Sequence, residues 1–162
     1  MENVEVERKF LVPTLDGVWP SYHQPDARDG TPIVQGFLHK AKGRTVRIRL
    51  TSDHATLTLK GPREGSVRIE YEAEIDFDFG KELLALCEPN TVSKIRYPLI
   101  SDHGFWAIDV FLDRNEGLII AEAELEHPTS ELRVPQWCGH EVTDDERFYN
   151  EYLAEHPYAD WQ

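Results

Sequence analysis

Charged residues of a single kind recur at every second position in several short stretches of this chain. Glu5, Glu7 and Lys9 alternate with Val4, Val6 and Phe10, and Arg47 and Arg49 alternate with Val46, Ile48 and Leu50. Glu70, Glu72 and Glu74 interleave with Ile69, Tyr71, Ala73 and Ile75, and Lys94 and Arg96 flank Ile95. Asp109 lies between Ile108 and Val110, Glu122, Glu124 and Glu126 alternate with Ala121, Ala123 and Leu125, and Lys60 ends a Thr-Leu-Thr-Leu-Lys run. On an extended strand, side chains two residues apart share a face and stand roughly 6.6–6.8 Å apart. Like charges at that spacing repel, so a sheet avoids them unless counter-charges or a ligand lie among them. Solvation accounts for any one such pair. Repetition of unmixed pairs on five strands points instead to a shared interior.

The residue types define the chemistry such an interior could do. Carboxylates without accompanying histidines or thiolates suit a hard divalent cation, Mg²⁺ or Mn²⁺, better than zinc. Arginine forks match phosphate oxygens and lysines supply point charges. A cationic set and a metal-binding acidic set in one cavity suit a linear polyphosphate, whose chemistry is mostly positioning and electrostatic stabilisation. No Gly-x-x-x-x-Gly-Lys-Ser/Thr loop is present, which disfavours a P-loop site.

Positioning these groups falls to eight strand candidates, at about 3–11, 32–40, 45–51, 55–60, 66–76, 92–100, 104–111 and 117–126. Turn signals such as Lys42-Gly43-Arg44, Gly61-Pro62-Arg63-Glu64-Gly65 and Asp102-His103-Gly104 separate them, and links this short favour antiparallel hairpins. The reading is a mainly β (α+β) fold, an eight-stranded antiparallel closed β-barrel or tunnel with a few peripheral helices, in one domain over 1–162. Helical patterns are expected over 80–88, ending before Pro89, and over 144–155 behind a Thr143/Glu146 capping box. Segments 13–31 and 128–142 read as loops. If the charged faces point inward, the lumen must be wet, because unpaired buried charge is strongly unfavourable. The apolar faces then turn outward and need covering.

The chain has 162 residues, 40% hydrophobic and 29% charged, a globular composition of single-domain size. Its net charge of −13 argues against a general nucleic-acid partner. The charge is uneven: residues 1–100 hold 14 bases and 15 acids, residues 101–162 only 3 bases and 15 acids. No apolar run approaches the roughly 20 residues that cross a bilayer. Cys87 and Cys138 fit neither a zinc site nor a disulfide scaffold, and the charged start lacks the apolar stretch of a secretion signal. The expectation is a reduced cytoplasmic protein without a membrane partner, its number of copies left open, a dimer included.

Taken together, Glu5-Val-Glu7-Arg-Lys9, Gln35-Gly36-Phe37-Leu38, Arg47-Ile-Arg49, Thr58-Leu59-Lys60, Arg68-Ile-Glu70-Tyr-Glu72, Ser93-Lys94-Ile-Arg96, Ala121-Glu122-Ala-Glu124 and the stretch Glu141 to Asn150 resemble the CYTH superfamily, the triphosphate tunnel metalloenzymes. The likeness is greatest to its short bacterial inorganic triphosphatases. It implies a metal-dependent phosphohydrolase cleaving inorganic triphosphate to pyrophosphate and phosphate in a charged tunnel, with Mg²⁺ or Mn²⁺ at one tight site and a second, weaker one. By that likeness Glu5, Glu7, Glu122 and Glu124 hold metal, with Asp109 and Glu72 assisting through water. Lys9, Arg47, Arg49, Lys60, Lys94 and Arg96 grip phosphates. Glu70 binds the second metal or orients the attacking water, and Arg147 closes the tunnel or forms a structural salt bridge.

One departure stands out. Where some bacterial triphosphatases of the family carry a tyrosine paired with the lysine of Lys-x-Arg, this chain has Phe37, which accepts no proton. Lys94 remains, and catalysis then falls to a water activated by the cation with Glu70 or Glu72 as proton acceptor. His39 shares a face with Phe37 by parity and is a further candidate, while His23, His54, His103, His127, His140 and His156 lack ligand-like spacing. The alternatives are a class IV adenylyl cyclase or a thiamine or nucleoside triphosphatase of the same fold, or a polyphosphate-binding module without turnover.

Overall fold

The computed structural model describes residues 4–20, 25–26 and 29–161, so His23 lies outside the described residues. Eight strands form: β1 Val4–Leu11, β2 Thr31–Ala41, β3 Arg44–Leu50, β4 Ala55–Glu64, β5 Val67–Ile75, β6 Thr91–Ser101, β7 Gly104–Phe111 and β8 Ile119–Glu124. All neighbours pair antiparallel, and the sheet closes in the order β1-β5-β4-β3-β2-β6-β7-β8. The expected closed barrel is the observed one.

Period-two alternation does the sorting. Glu7, Lys9, Arg47, Lys94 and Asp109 are buried inside, while Phe10, Trp106, Ile108, Ala121 and Ala123 form an apolar layer on the outer wall. Loops cover that layer, supplying Val12, Val18 and Trp19 on one side and Leu132, Trp137 and Cys138 on the other. Burying apolar area at about 25 cal/mol per Å² gives this outer coat the role an interior core has elsewhere. On the opposite wall α1, Phe77–Ala85, packs across β3 and β4. Two glycines permit the approach: a Cβ on Gly80 would lie 2.4 Å from Ala55 Cβ, and one on Gly36 2.5 Å from Cys87 Cβ. Leu59, Ile69 and Tyr71 on β4 and β5 stay exposed.

Five local expectations give way. The first helix starts at Phe77 rather than Gly80, because the Asp76 carboxylate accepts from the Phe79 N–H at 2.9 Å and caps it earlier. No capping box forms at Thr143, whose hydroxyl instead accepts from the Lys9 N–H and donates to Glu141. The C-terminal segment splits into a 3-10 turn, Glu146–Phe148, and α2, Asn150–Glu155. The 61–65 turn signal is largely strand, since β4 runs through Pro62 to Glu64 with a register shift between Lys60 and Arg63. Finally, a shift between Phe37 and His39 places His39 opposite the outward Val46, so His39 is exposed on the outer wall and leaves the site.

One end of the barrel is shut. Val92, Phe111 and Ile120 turn inward there and pack with Leu11, Phe37, Phe148 and with Leu153 and Ala154 of α2. Lys40 ties α2 down by donating to the Glu151 carbonyl at 3.0 Å and pairing with Glu155 at 2.9 Å. Among the described residues no helix is long and apolar enough to cross a membrane, and Cys87 and Cys138 are both free.

Candidate active site

A cavity of about 470 Å³ occupies the lumen, lined by Glu5, Glu7, Lys9, Arg47, Arg49, Lys60, Glu70, Glu72, Lys94, Arg96, Glu122 and Glu124. Of the residues given a candidate site role from sequence, Asp109, His39 and Arg147 stand off this surface, as do Glu74 and Glu126 of the alternating sets. Asp109 is fully buried behind it, accepting from Lys94 at 2.6 Å and from Arg96 at 2.7 Å. Arg147 points to solvent, paired with Asp145 at 2.6 Å and lying over Phe148 and Trp161, so of its two expected roles it takes the structural one.

Strand order sorts the inward charges by sign. The acids come from β7, β8, β1 and β5, which are consecutive around the barrel, and the bases from β4, β3 and β6, which with β2 form the other half. An acidic half-shell therefore faces a basic one across the cavity. Lys9 on β1 and Arg68 on β5 are cations within the acidic half, and Lys9 is bonded to Glu122 at 2.7 Å and Glu7 at 3.0 Å.

Ion pairs cross the remaining gap. Lys60 bridges Glu5 at 2.8 Å and Glu70 at 2.6 Å. Arg47 reaches Thr58 at 2.9 Å and Glu72 at 3.3 Å, and Arg96 joins Asp109 to Glu122. Arg49 has only Gln35, at 3.4 Å, and Glu124 has no side-chain partner among the described residues.

Burial and neighbouring charge move proton affinities accordingly. Burial would raise the Glu7 carboxyl, but Lys9, with Lys60 and Arg63, pulls it down to about 2. Burial raises Glu5 to about 7, helped by the charge of Glu7. Burial lowers Lys94 to about 8 even with Asp109 beside it, and burial plus the like charges of Arg47 and Arg96 lowers Arg49 to about 10.

Sequence reasoning missed several lining residues. Arg68 follows from parity, since it shares a face with Glu70. Arg63 enters through the β4 irregularity, which no residue spacing announces. Tyr149, Asn150 and Glu151 arrive from α2 and its start, and Asn150 accepts from Lys94 at 3.3 Å.

A family model, the CYTH domain, matches residues 3–149. The chain belongs to the CYTH domain family. Two CYTH relatives bear the name inorganic triphosphatase. One, from Acetivibrio thermocellus, is 36% identical over 98% of this chain and 97% of its own length. The other, from Nitrosomonas europaea, is 33% identical over 93% of this chain and 96% of its own. A solved crystal structure of an inorganic triphosphatase superposes with a TM-score of 0.65 at 31% identity, covering 93% of this chain and 97% of that one.

The CYTH fold raises the question of a divalent cation. Among the described residues no three acids, histidines or cysteines are gathered closely enough to hold one, because the lumen carboxylates are mostly drawn onto bases. The donor chemistry nonetheless fits. Glu7 and Glu124 stand directly opposite one another, with Glu122 two residues along, and offer only carboxylate oxygens.

Proposed function

We propose that this protein hydrolyses inorganic triphosphate to pyrophosphate and phosphate, with a divalent cation, Mg²⁺ or Mn²⁺. One observation carries the reading: an arc of bases facing an arc of acids across a cavity of about 470 Å³. A bare polyanion would use only the basic half, and a metal ion only the acidic half. A metal–polyphosphate complex uses both. The triphosphatase names of the two relatives that span the chain agree with it.

Arg47, Arg49, Lys60, Lys94 and Arg96 bind phosphate oxygens, and Arg49, with no carboxylate pair, does so at least cost. Asp109 aims the Lys94 ammonium and the Arg96 fork from behind and meets neither substrate nor metal directly. Glu7, Glu122 and Glu124, with Glu5 beside them, hold the cation, which when bound neutralises phosphate charge and polarises the phosphorus. Glu72, held by Thr58 at 2.9 Å and Arg47, keeps an exposed carboxylate that orients water and accepts its proton, a role Glu70 shares less readily because Lys60 holds it. Phe37 lines the cavity without a hydroxyl. The shut end limits how much phosphate chain passes α2, which favours a short linear substrate.

The test is phosphate release from triphosphate, pyrophosphate, ATP and thiamine triphosphate, each with Mg²⁺ and with Mn²⁺. Triphosphate should be the preferred substrate, with no turnover in EDTA. Cyclic AMP from ATP without phosphate release from triphosphate would replace this reading with the cyclase, and tight triphosphate binding without turnover would replace it with a binding module.

A further inference from the structure

Arg63 has no role in the scheme above, yet its guanidinium lies inside the lumen. Strand alternation counted from Lys60 would turn it outward. The extra residue between Lys60 and Arg63 turns it in, opposite Arg68, at the end of the cavity that α2 closes.

Its surroundings are those of a ligand held ready. Nη2 donates to Glu7 Oε1 at 2.8 Å, and the guanidinium carbon sits 5.1 Å from the centre of the Tyr149 ring. The side chain is 12% exposed, and among the described residues no acceptor reaches Nε or Nη1, both of which are buried. A buried donor left without an acceptor is unfavourable, so a fork with two of them is unfinished as a purely structural device. Its neighbour Arg68 shows the finished case, with donors spent on the Gly61 and Gly43 carbonyls, Thr45 and Glu151.

Neutralising Glu7 does not account for Arg63 either, because Lys9 already lies 3.0 Å from the same carboxylate oxygen. A cation taken up by Glu7 competes with Arg63 for that oxygen. The released guanidinium, kept in place by the Tyr149 face, then offers the N–H groups of all three nitrogens to whatever anion shares the lumen. We infer that Arg63 is a phosphate ligand of the tunnel, its unpartnered Nε and Nη1 taking the terminal phosphoryl group of triphosphate with or without metal, and Nη2 leaving Glu7 as well when a cation enters. The inference rests on the triphosphatase reading. A planar fork suits two oxygens of one phosphoryl group, which a lysine at this position would not match.

The experiment titrates inorganic triphosphate into wild type, Arg63→Gln and Arg63→Lys by calorimetry in EDTA, then titrates Mn²⁺ alone. The expected result is a loss of at least tenfold in metal-free triphosphate affinity for Arg63→Gln, partial rescue by Arg63→Lys, and Mn²⁺ affinity unchanged or tighter. In steady-state assays KM should rise by a larger factor than kcat falls. Metal-free triphosphate affinity within twofold of wild type for Arg63→Gln overturns the inference and leaves Arg63 as a counter-ion of Glu7. Absence of triphosphate binding by wild type itself instead overturns the reading of the tunnel. Should the Arg63 variants fail to fold, Tyr149→Leu removes the ring that holds the fork, and its metal-free affinity decides by the same criteria.

Discussion

Glu7 and Glu124 face each other across the β1–β8 ladder, yet one is clamped by two bases and the other by none. Glu7 accepts from Lys9 at 3.0 Å and Arg63 at 2.8 Å, whereas Glu124 is exposed with no side-chain partner among the described residues. Directly opposed like charges are unfavourable in a sheet, and under the proposed function a cation bound between them would offset that repulsion.

The two should therefore separate in their mutants. Glu124→Gln is expected to abolish turnover by weakening metal binding while changing stability by less than about 0.5 kcal/mol, as is usual for an exposed side chain. Glu7→Gln should also abolish turnover, but it uncovers Lys9 and Arg63 and should cost roughly 1–3 kcal/mol of stability. Urea unfolding beside a phosphate-release assay checks both, and activity retained by Glu124→Gln would remove it from the site.

Arg49→Ala deletes the cation of the basic half that, among the described residues, has no carboxylate pair. Loss of a charged hydrogen bond to phosphate is worth about 1.5–3 kcal/mol, so triphosphate affinity should fall roughly 10- to 100-fold, with kcat falling too. Folding stability should hold or rise, because burial with Arg47 and Arg96 is unfavourable to this charge. Calorimetric titration with triphosphate measures the first, thermal unfolding the second.

Lys94 and Asp109 are both essentially inaccessible and 2.6 Å apart. Breaking such a pair leaves a buried charge behind, which typically costs about 3–5 kcal/mol. Asp109→Asn is expected to destabilise by that order and to lower triphosphate affinity, since Lys94 and Arg96 both lose their anchor. A variant as stable as wild type would mean that the pair does not organise the basic half.

Acidity should act through Glu5, raised from an ordinary 4.5 to about 7 by burial and by Glu7. A raised value means the folded chain binds this proton more tightly than the unfolded chain. Its stabilising contribution is whole below about pH 4.5 and is lost as pH climbs through 7. Relative to Glu5→Gln, wild type should lose on the order of 1–3 kcal/mol between about pH 4.5 and 8 in metal-free buffer. A pH-independent difference would show that Glu5 titrates normally.

His39→Ala should leave kcat and KM within about twofold of wild type, because the irregularity in β2 turns this side chain to the outer wall. A large loss of activity would place His39 back at the site.

Strand identity and the inward face were legible in residue order because alternation has a period of two whatever the sheet's connectivity. That is why Glu5, Glu7, Arg47, Arg49, Lys94, Arg96, Glu122 and Glu124 could be grouped before any fold was known. Parity fails wherever one extra residue enters a ladder. His39 was therefore lost from the lumen and Arg63 gained, and the irregularities responsible depend on pairing with β3 and β5, not on local sequence. The start of the C-terminal helix departs from its sequence signal for a related reason. Thr143 carries a capping signal, but its hydroxyl is claimed by Lys9, more than a hundred positions away in the chain. The sorting of acids and bases into opposed half-shells, and the closing of one end by α2, likewise belong to the closed barrel alone. Which strands become neighbours is settled by long-range hydrogen bonding and packing, and no stretch of sequence carries that information by itself.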